Sequence, residues 1–304
     1  MASPVEAQAE RRLHLDAEGV ALIVGCCVVW GLGQVASKVA LTQVPPLTQA
    51  GIRSVGAGLL VFAWAAWRRV PLWQRDRTLW PGLLAGALFT AEFAAVYSGL
   101  RFTTAGRMTV FLYLAPFVVA AGMTFVARSE RLGRLGLVGL LTAFGGVALA
   151  FSEGFTSGAA PPLQWFGDLL GILAAVLWGA TTLVVRATPL ESASAAKTLL
   201  YQLAVSGMVL TAAGLLTEPS GQWPLHPEVA LALLFQILVI SSTSYLLWFW
   251  LITRYAAARL SAFTLLTPVV GLFAGAWLLS EPVTPRLLVA LVTVCLGLVA
   301  VNRR

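Results

Sequence analysis

Apolar residues do not alternate with polar ones along this chain. They come in blocks of about 20 residues divided by short polar stretches, and a block of that length crosses a hydrocarbon core of about 30 Å as an α-helix. Ten blocks can be marked, at 19–41, 48–67, 79–100, 104–127, 134–151, 166–187, 197–217, 228–253, 258–279 and 285–302. The expected fold class is an all-α polytopic membrane protein with ten transmembrane helices. The longest connections are Val70–Thr78 and the Gly/Pro-bearing Ser152–Trp165, too short for an extramembrane core. The second splits the chain into an N-terminal tail (1–18), a first five-helix unit (19–151), a linker (152–165), a second five-helix unit (166–302) and a C-terminus (303–304). No short apolar run with a small-residue cleavage site follows the tail, so the first block is expected to serve as an uncleaved start.

The blocks repeat. Ala105–Leu149 returns at an offset of 152 as Ala257–Val301, with eleven of 45 positions identical. Among them are Arg107/Arg259, Phe111/Phe263, Pro116/Pro268, Arg134/Arg286 and Gly145/Gly297. Trp30-Gly31 likewise matches Trp178-Gly179 at an offset of 148, and Lys38 then matches Arg186. A unit of five crossings used twice traverses the membrane in opposite senses. The expected architecture is therefore an inverted repeat, the common plan of secondary transporters, with the site near the mid-plane between the halves. With the N-terminus inside, the inner segments carry 15 Lys and Arg residues and the outer segments three, Arg101, Arg107 and Arg286. That bias places both termini in the cytoplasm and the linker in the periplasm. Lys38 and Arg53 lie within or at the rim of spans.

Composition agrees with the block pattern. Hydrophobic residues make up 59%, charged residues 11%, and the mean hydropathy is +0.85, against about 25% charge in a soluble domain. The net charge of +7 does not imply nucleic-acid binding, because the cations sit between spans and not on a solvated face. Cys26, Cys27 and Cys295 lie inside apolar blocks and read as small apolar residues. His14 and His226 lie outside the blocks. No metal-ligand cluster, nucleotide loop or nucleophile–base pair is visible, so neither enzymatic activity nor a metal or cofactor is expected. The partners expected are a small-molecule substrate and the lipid bilayer, with the chain a monomer or weak homodimer.

Polar side chains inside a bilayer are costly and become candidates for function. Trp30, Gln34, Ser37, Lys38 and Leu41 fall on one helical face; Lys38 either lines a cavity with that face or snorkels to the outer interface. Glu92 stands as the acid deep in a span, able to bind a substrate ammonium, to carry a proton, or to pair with Arg53. On the eighth span Ser241, Ser244, Tyr245 and Trp248 share a face, which is either a cavity wall or interhelical glue with an interface belt. Ser244 is the repeat equivalent of Glu92. Tyr97, Tyr113, Tyr201 and Gln202 are further polar groups within spans. Pro116 and Pro268 free backbone carbonyls and read as hinges or plain kinks. Gly82/Gly86, Gly167/Gly171 and Gly271/Gly275 read as close-packing positions and not as a dimer seam.

The stretches Trp30-Gly31, Leu100–Pro116, Ser129-Glu130, Gly145-Gly146, Trp178-Gly179, Pro268 and Ser280-Glu281-Pro282 together resemble the EamA family of the drug/metabolite transporter superfamily, over nearly the whole chain. Within that family the chain looks most like the bacterial aromatic amino acid exporters. The resemblance implies an inner-membrane transporter of ten helices around a central cavity lined by helices 1, 3, 4, 6, 8 and 9. On this sequence that puts Trp30, Gln34, Lys38, Glu92, Tyr97, Tyr113, Trp178, Tyr245 and Trp248 within reach of substrate. It leaves two transport readings open: export of amino acids, and proton-coupled export of cationic drugs through Glu92.

Overall fold

The computed structural model describes residues 16–74, 76–126, 134–156, 161–219, 225–254, 263–264 and 266–302. The Ser129-Glu130 turn, Arg259, most of the N-terminal tail and the C-terminal pair 303–304 lie outside the described residues. The described chain is helical, with no strand among its residues. In order it forms α1 (Ala17–Ala40), α2 (Pro46–Trp67), α3 (Leu79–Gly99), α4 (Ala105–Leu112), α5 (Ala115–Val126), α6 (Arg134–Thr156), α7 (Gln164–Ala187), α8 (Ala195–Thr217) and α9 (Pro227–Leu234). A π-helical segment (Phe235–Ser244), α10 (Tyr245–Arg254), α11 (Leu266–Leu279) and α12 (Pro285–Asn302) follow.

Among the described residues, seven helical runs are long and apolar enough to cross a membrane: α1, α2, α3, Ala105–Gly122, α7, α8 and Pro227–Trp248. The apolar stretches Leu137–Ala150, α11 and Pro285–Gly297 are shorter. Trp67, Trp80, Leu216 and Trp277 are more than three-quarters exposed. On a water-soluble protein such a surface would aggregate; here lipid covers it. The molecule is a polytopic membrane protein.

Helix starts follow local chemistry. The Asp16 carboxylate accepts from Gly19 N at 2.9 Å, and Thr104 caps α4 by accepting from Arg107 N at 3.1 Å. Pro46, Pro227 and Pro285 stand at first helical positions, where a missing N–H costs nothing. Two helix N-termini are closed by carboxylates from far along the chain. Glu218 accepts from Leu47 N and Thr48 N, both at 2.8 Å, at the head of α2. Glu281 does the same for α4, from Ala105 N at 2.8 Å and Gly106 N at 3.2 Å. Each places negative charge on the positive end of a helix dipole.

Three stretches differ from the expected uniform spans. The run 104–127 breaks at Tyr113 and Leu114 into α4 and α5, because Pro116 has no N–H to continue the ladder. The run 228–253 widens into a π-helix across Phe235–Ser244. Its hydroxyls bond into the widened turns, Ser242 Oγ to Ile237 O at 2.6 Å and Thr243 Oγ1 to Leu238 O at 2.7 Å. The connection 152–165 is partly helical, since α6 continues to Thr156 and carries Glu153 into the protein.

Glycines set the helix pairings. α2 lies on α8, with Gly51 against Thr211 and Gly214 against Thr48. α6 lies on α12, with Gly139 against Ala300 and Gly146 against Thr293 and Ala290. α3 packs on α7, while α1 packs on α9 and the π segment. Gly31 of α1 abuts Val270 of α11, and Gly179 of α7 abuts Val118 of α5. The pairs read from sequence as close-packing positions are such contacts: Gly82 and Gly86 meet Tyr201 and Val205, Gly167 meets Thr103, and Gly271 meets Thr109. A side chain at Gly146 would run into Thr293. Gly146→Leu is therefore expected to cost roughly 1–3 kcal/mol, read as a lowered thermal midpoint of the purified protein, while a leucine at Gly145, which has open space around its Cα, is expected to leave the midpoint unchanged.

Candidate functional site

Two polar networks run through the helices. The first lies in the seam between α1, α2, α3 and the π segment. Gln236 is its hub. Its Oε1 accepts from Tyr97 Oη at 2.7 Å and from Gln49 Nε2 at 3.2 Å, and its Nε2 donates to Ala36 O at 3.3 Å. Gln49 Nε2 also donates to Ser37 O at 3.1 Å. Next to this hub sits Arg53, only 2% exposed. Its Nε donates to Ser241 Oγ, and its guanidinium carbon stands 3.9 Å from the centroid of the Phe93 ring. The Tyr97 and Tyr245 side chains also hydrogen-bond it, and Glu92 bears on its charge from farther off. Glu92 is 6% exposed, and no ion pair joins it to Arg53 among the described residues. Several buried polar atoms of this seam have no hydrogen-bond partner: Gln34 Oε1, Gln49 Oε1, Arg53 Nη2 and Glu92 Oε2.

An aromatic wall adjoins the seam. Trp30 Nε1 donates to Ser244 Oγ at 2.8 Å, and its ring meets Trp248 edge-on with centroids 5.4 Å apart. Phe89, Phe93 and Tyr97 form a tilted stack along α3, with centroids 4.5 Å and 6.1 Å apart. The repeat partner of Trp30, Trp178, meets Tyr113 edge-on at 6.1 Å.

The second network ties one end of the bundle together, the end expected to face outward. Arg107 binds Asp168 in a bidentate fork, Nη2 to Oδ2 at 2.6 Å and Nε to Oδ1 at 3.1 Å. It also donates to Glu153 Oε2 at 2.7 Å and Ala150 O at 2.6 Å. Thr103 Oγ1 donates to Asp168 Oδ1 at 2.5 Å, and Thr284 Oγ1 to Glu153 Oε2 at 2.9 Å. Lys38 Nζ donates to Thr103 O and lies 3.7 Å from Glu281, which caps α4. The Asp168 side chain is fully buried and that of Arg107 4% exposed.

The candidates from sequence therefore divide. Trp30, Gln34, Glu92, Tyr97, Tyr245 and Trp248 border the seam. Lys38 is held instead in the end network. Tyr113 is buried in a core with α6, α7, α11 and α12 residues, and Trp178 is 37% exposed beside it. Pro116 sits at the α4–α5 break and Pro268 near the start of α11. Ser241 and Ser244 face different partners, Arg53 and Trp30, because the π-helical register departs from the 3.6-residue one. Sequence reasoning missed Gln49 and Gln236, which carry the same signal as Gln34, a polar group inside an apolar run, and were passed over. It also read Arg107 as an outer-segment cation and passed over Asp168 at the head of a span, so Glu92 is not the sole acid buried in a helix.

At the opposite end Lys197 Nζ meets Asp76 Oδ2 at 2.8 Å and Thr78 Oγ1 donates to Asp76 Oδ1 at 2.6 Å. These hydrogen bonds, Lys197's first, hold the Asp76 carboxyl down to about 2 against an ordinary 3.8. A depressed value means that the contribution is present above pH 3.8 and lost as pH falls toward 2. Asp76→Asn is expected to flatten the acid limb of a stability–pH profile between those values by lowering stability at pH 7, while leaving stability near pH 2 little changed. Arg107→Met strands a fully buried carboxylate and is expected to cost about 3–5 kcal/mol; adding Asp168→Leu should recover most of it in thermal unfolding. A loss below about 1 kcal/mol for the single variant would show that the pair is not the brace of this end.

The EamA-like transporter family profile matches residues 17–152 and again 165–303. The chain is 30% identical to a probable amino-acid metabolite efflux pump of Salmonella typhimurium, over 89% of this chain and 90% of that protein. It is 28% identical to the protein of the same description in Escherichia coli, covering 89% and 90%, and 27% identical to the uncharacterized transporter YvbV of Bacillus subtilis, covering 93% and 91%. A protein of known crystal structure superposes with a TM-score of 0.67 at 18% identity, over 94% of this chain and 96% of that one, and shares its fold. The chain is a membrane transporter, not an enzyme, and it belongs to the EamA-like transporter family.

Proposed function

We propose that this protein exports amino acids, aromatic and apolar ones foremost, and related small metabolites across a bacterial inner membrane, with both termini in the cytoplasm. The observation that carries the reading is the seam itself: buried donors and acceptors without partners, walled by Trp30, Trp248, Phe93 and Tyr97. A lipid-facing surface would not hold such groups. Two relatives described as amino-acid metabolite efflux pumps support the substrate class.

Alternating access of two inverted five-helix halves, 19–151 and 166–302, is the mechanism. The double profile match supports it. So does the packing: exchanging the halves turns the Gly31–Val270 contact into the Gly179–Val118 contact, and turns α3 on α7 into the π segment and α9 on α1. The Lys38–Glu281 and Arg107–Asp168 network then closes the periplasmic mouth, and the Pro116 break with Pro268 gives the hinges. Trp30, Gln34, Glu92, Tyr97, Tyr245 and Trp248 contact substrate, with Tyr113 of the first half and Trp178 of the second as further contacts. A second reading has one specific observation in its favour: the buried, unpartnered Glu92 Oε2 suits a proton-coupled exporter of lipophilic cations.

The test is uptake of labelled tryptophan, phenylalanine, leucine and a lipophilic dye cation into protein-loaded liposomes, with and without a pH gradient. Amino acid flux, strongest for the aromatic ones and indifferent to the gradient, is expected. Gradient-dependent dye flux alone, abolished in Glu92→Gln, would replace this reading with the second. Trp248→Ala should raise KM several-fold to about tenfold, the scale of one lost aromatic contact, in folded protein.

A further inference from the structure

The end network uses up the Lys38 ammonium, which leaves the seam in need of another cation if it is to receive a carboxylate. Arg53 fills that place. It is almost wholly buried in the apolar layer, where an uncompensated charge is costly. Yet Glu92, the acid whose field reaches it, does not neutralise it by contact. Arg53 is instead held by neutral groups, through Nε to Ser241 Oγ, through its face to the Phe93 ring and by hydrogen bonds to the Tyr97 and Tyr245 side chains. Its Nη2 is left without a partner. Glu92 mirrors this, with Oε2 buried and unpartnered. Two opposite charges held within each other's field, but beyond ion-pair contact, with one free donor and one free acceptor, match the two ends of a zwitterion. An α-amino acid offers a carboxylate and an ammonium two bonds apart, and it would satisfy both groups at once. A guanidinium suits this role better than an ammonium, since its planar fork binds a carboxylate in two parallel hydrogen bonds.

We propose that Arg53 and Glu92 form the head-group receptor of the transporter, Arg53 taking the substrate's α-carboxylate and Glu92 its α-ammonium. This rests on the amino acid reading above and assigns a specificity-determining residue, Arg53, to it. Gln34 Oε1, also unpartnered, supplies further polar contact around the head group. The side chain of the substrate then turns toward Trp30 and Trp248. Selection is for zwitterions over molecules carrying one charge alone.

The experiment measures competition against labelled L-phenylalanine counterflow by three probes of matched side chain: L-phenylalanine, phenethylamine (no carboxylate) and 3-phenylpropionate (no amine). The wild type is expected to bind L-phenylalanine at least tenfold more tightly than either analogue, the scale of one lost charge-assisted hydrogen bond. In Arg53→Gln, measured by direct binding in detergent, affinity for L-phenylalanine should fall roughly 10- to 100-fold while that for phenethylamine stays unchanged. Glu92→Gln should do the converse, sparing 3-phenylpropionate, and Arg53→Lys should rescue part of the phenylalanine affinity. Equal losses for all three probes in folded Arg53→Gln would overturn the receptor and make Arg53 a structural residue. If that variant does not fold, the wild-type series decides: a preference for zwitterions supports the receptor, and indifference to the missing carboxylate overturns it. A wild type that moves the dye cation and no amino acid defeats the function proposed above. A wild type that moves amino acids without the variant pattern defeats this assignment alone.

Discussion

Hydrocarbon supplies no hydrogen bonds, and that constraint orders the whole molecule. Every polar group that enters the membrane layer has to be satisfied by the protein itself. The buried Arg107–Asp168 fork meets the demand at one end of the bundle. Arg107 is bonded to Asp168, Glu153 and the Ala150 carbonyl, and thereby ties α4 to α6 and α7. Lys38 and Glu281 extend the tie to α1 and to the turn before α12. Removing one member leaves a charge with nowhere to go, so this end is built to be either fully made or opened as a whole, with water admitted. That is the kind of two-state element an alternating gate requires.

The seam obeys the same constraint differently. Its polar atoms are only partly satisfied, and the shortfall is concentrated on α1, α2 and α3 at Gln34, Gln49, Arg53 and Glu92. A tight apolar frame surrounds it, set by glycines that let α2 meet α8 and α6 meet α12 without side chains between them. The frame fixes where the unsatisfied groups point, and the π segment adjusts one wall of the seam by re-aiming Ser241 and Ser244. The frame carries the close packing, and the groups it leaves unpaired are those proposed above to meet the substrate.

Much of this was legible in the sequence. Long apolar blocks announce membrane helices because lipid demands them, and the helices α1, α2, α3, α7 and α8 fall close to the blocks that predict them. Pro116 announces the α4–α5 break through its missing N–H. The Trp30, Gln34, Glu92 and Tyr97 positions stood out as polar or aromatic groups inside apolar runs. Other features left no local trace. The π-helix depends on tertiary contacts of a Ser-Ser-Thr-Ser run that is equally compatible with an α-helix. The pairing of Gln49 with Gln236 arises only where two helices bring the amides 3.2 Å apart. Lys38 was drawn to the site by periodicity, but its side chain is long enough to reach Thr103 and Glu281 instead, and periodicity fixes only the face, not the reach.

The seam is proposed above as the substrate's path, open to one side of the membrane at a time. It is tested most directly by replacing Cys26, Cys27 and Cys295, placing a single cysteine at Gln34, and labelling it with a membrane-impermeant thiol reagent from each side of sealed vesicles, with and without phenylalanine. The account predicts labelling from either side as the protein cycles, protected by phenylalanine, and labelling from the cytoplasmic side alone when the Lys38–Glu281 end is cross-linked shut. Labelling that phenylalanine leaves unchanged, or none from either side in active protein, would contradict it.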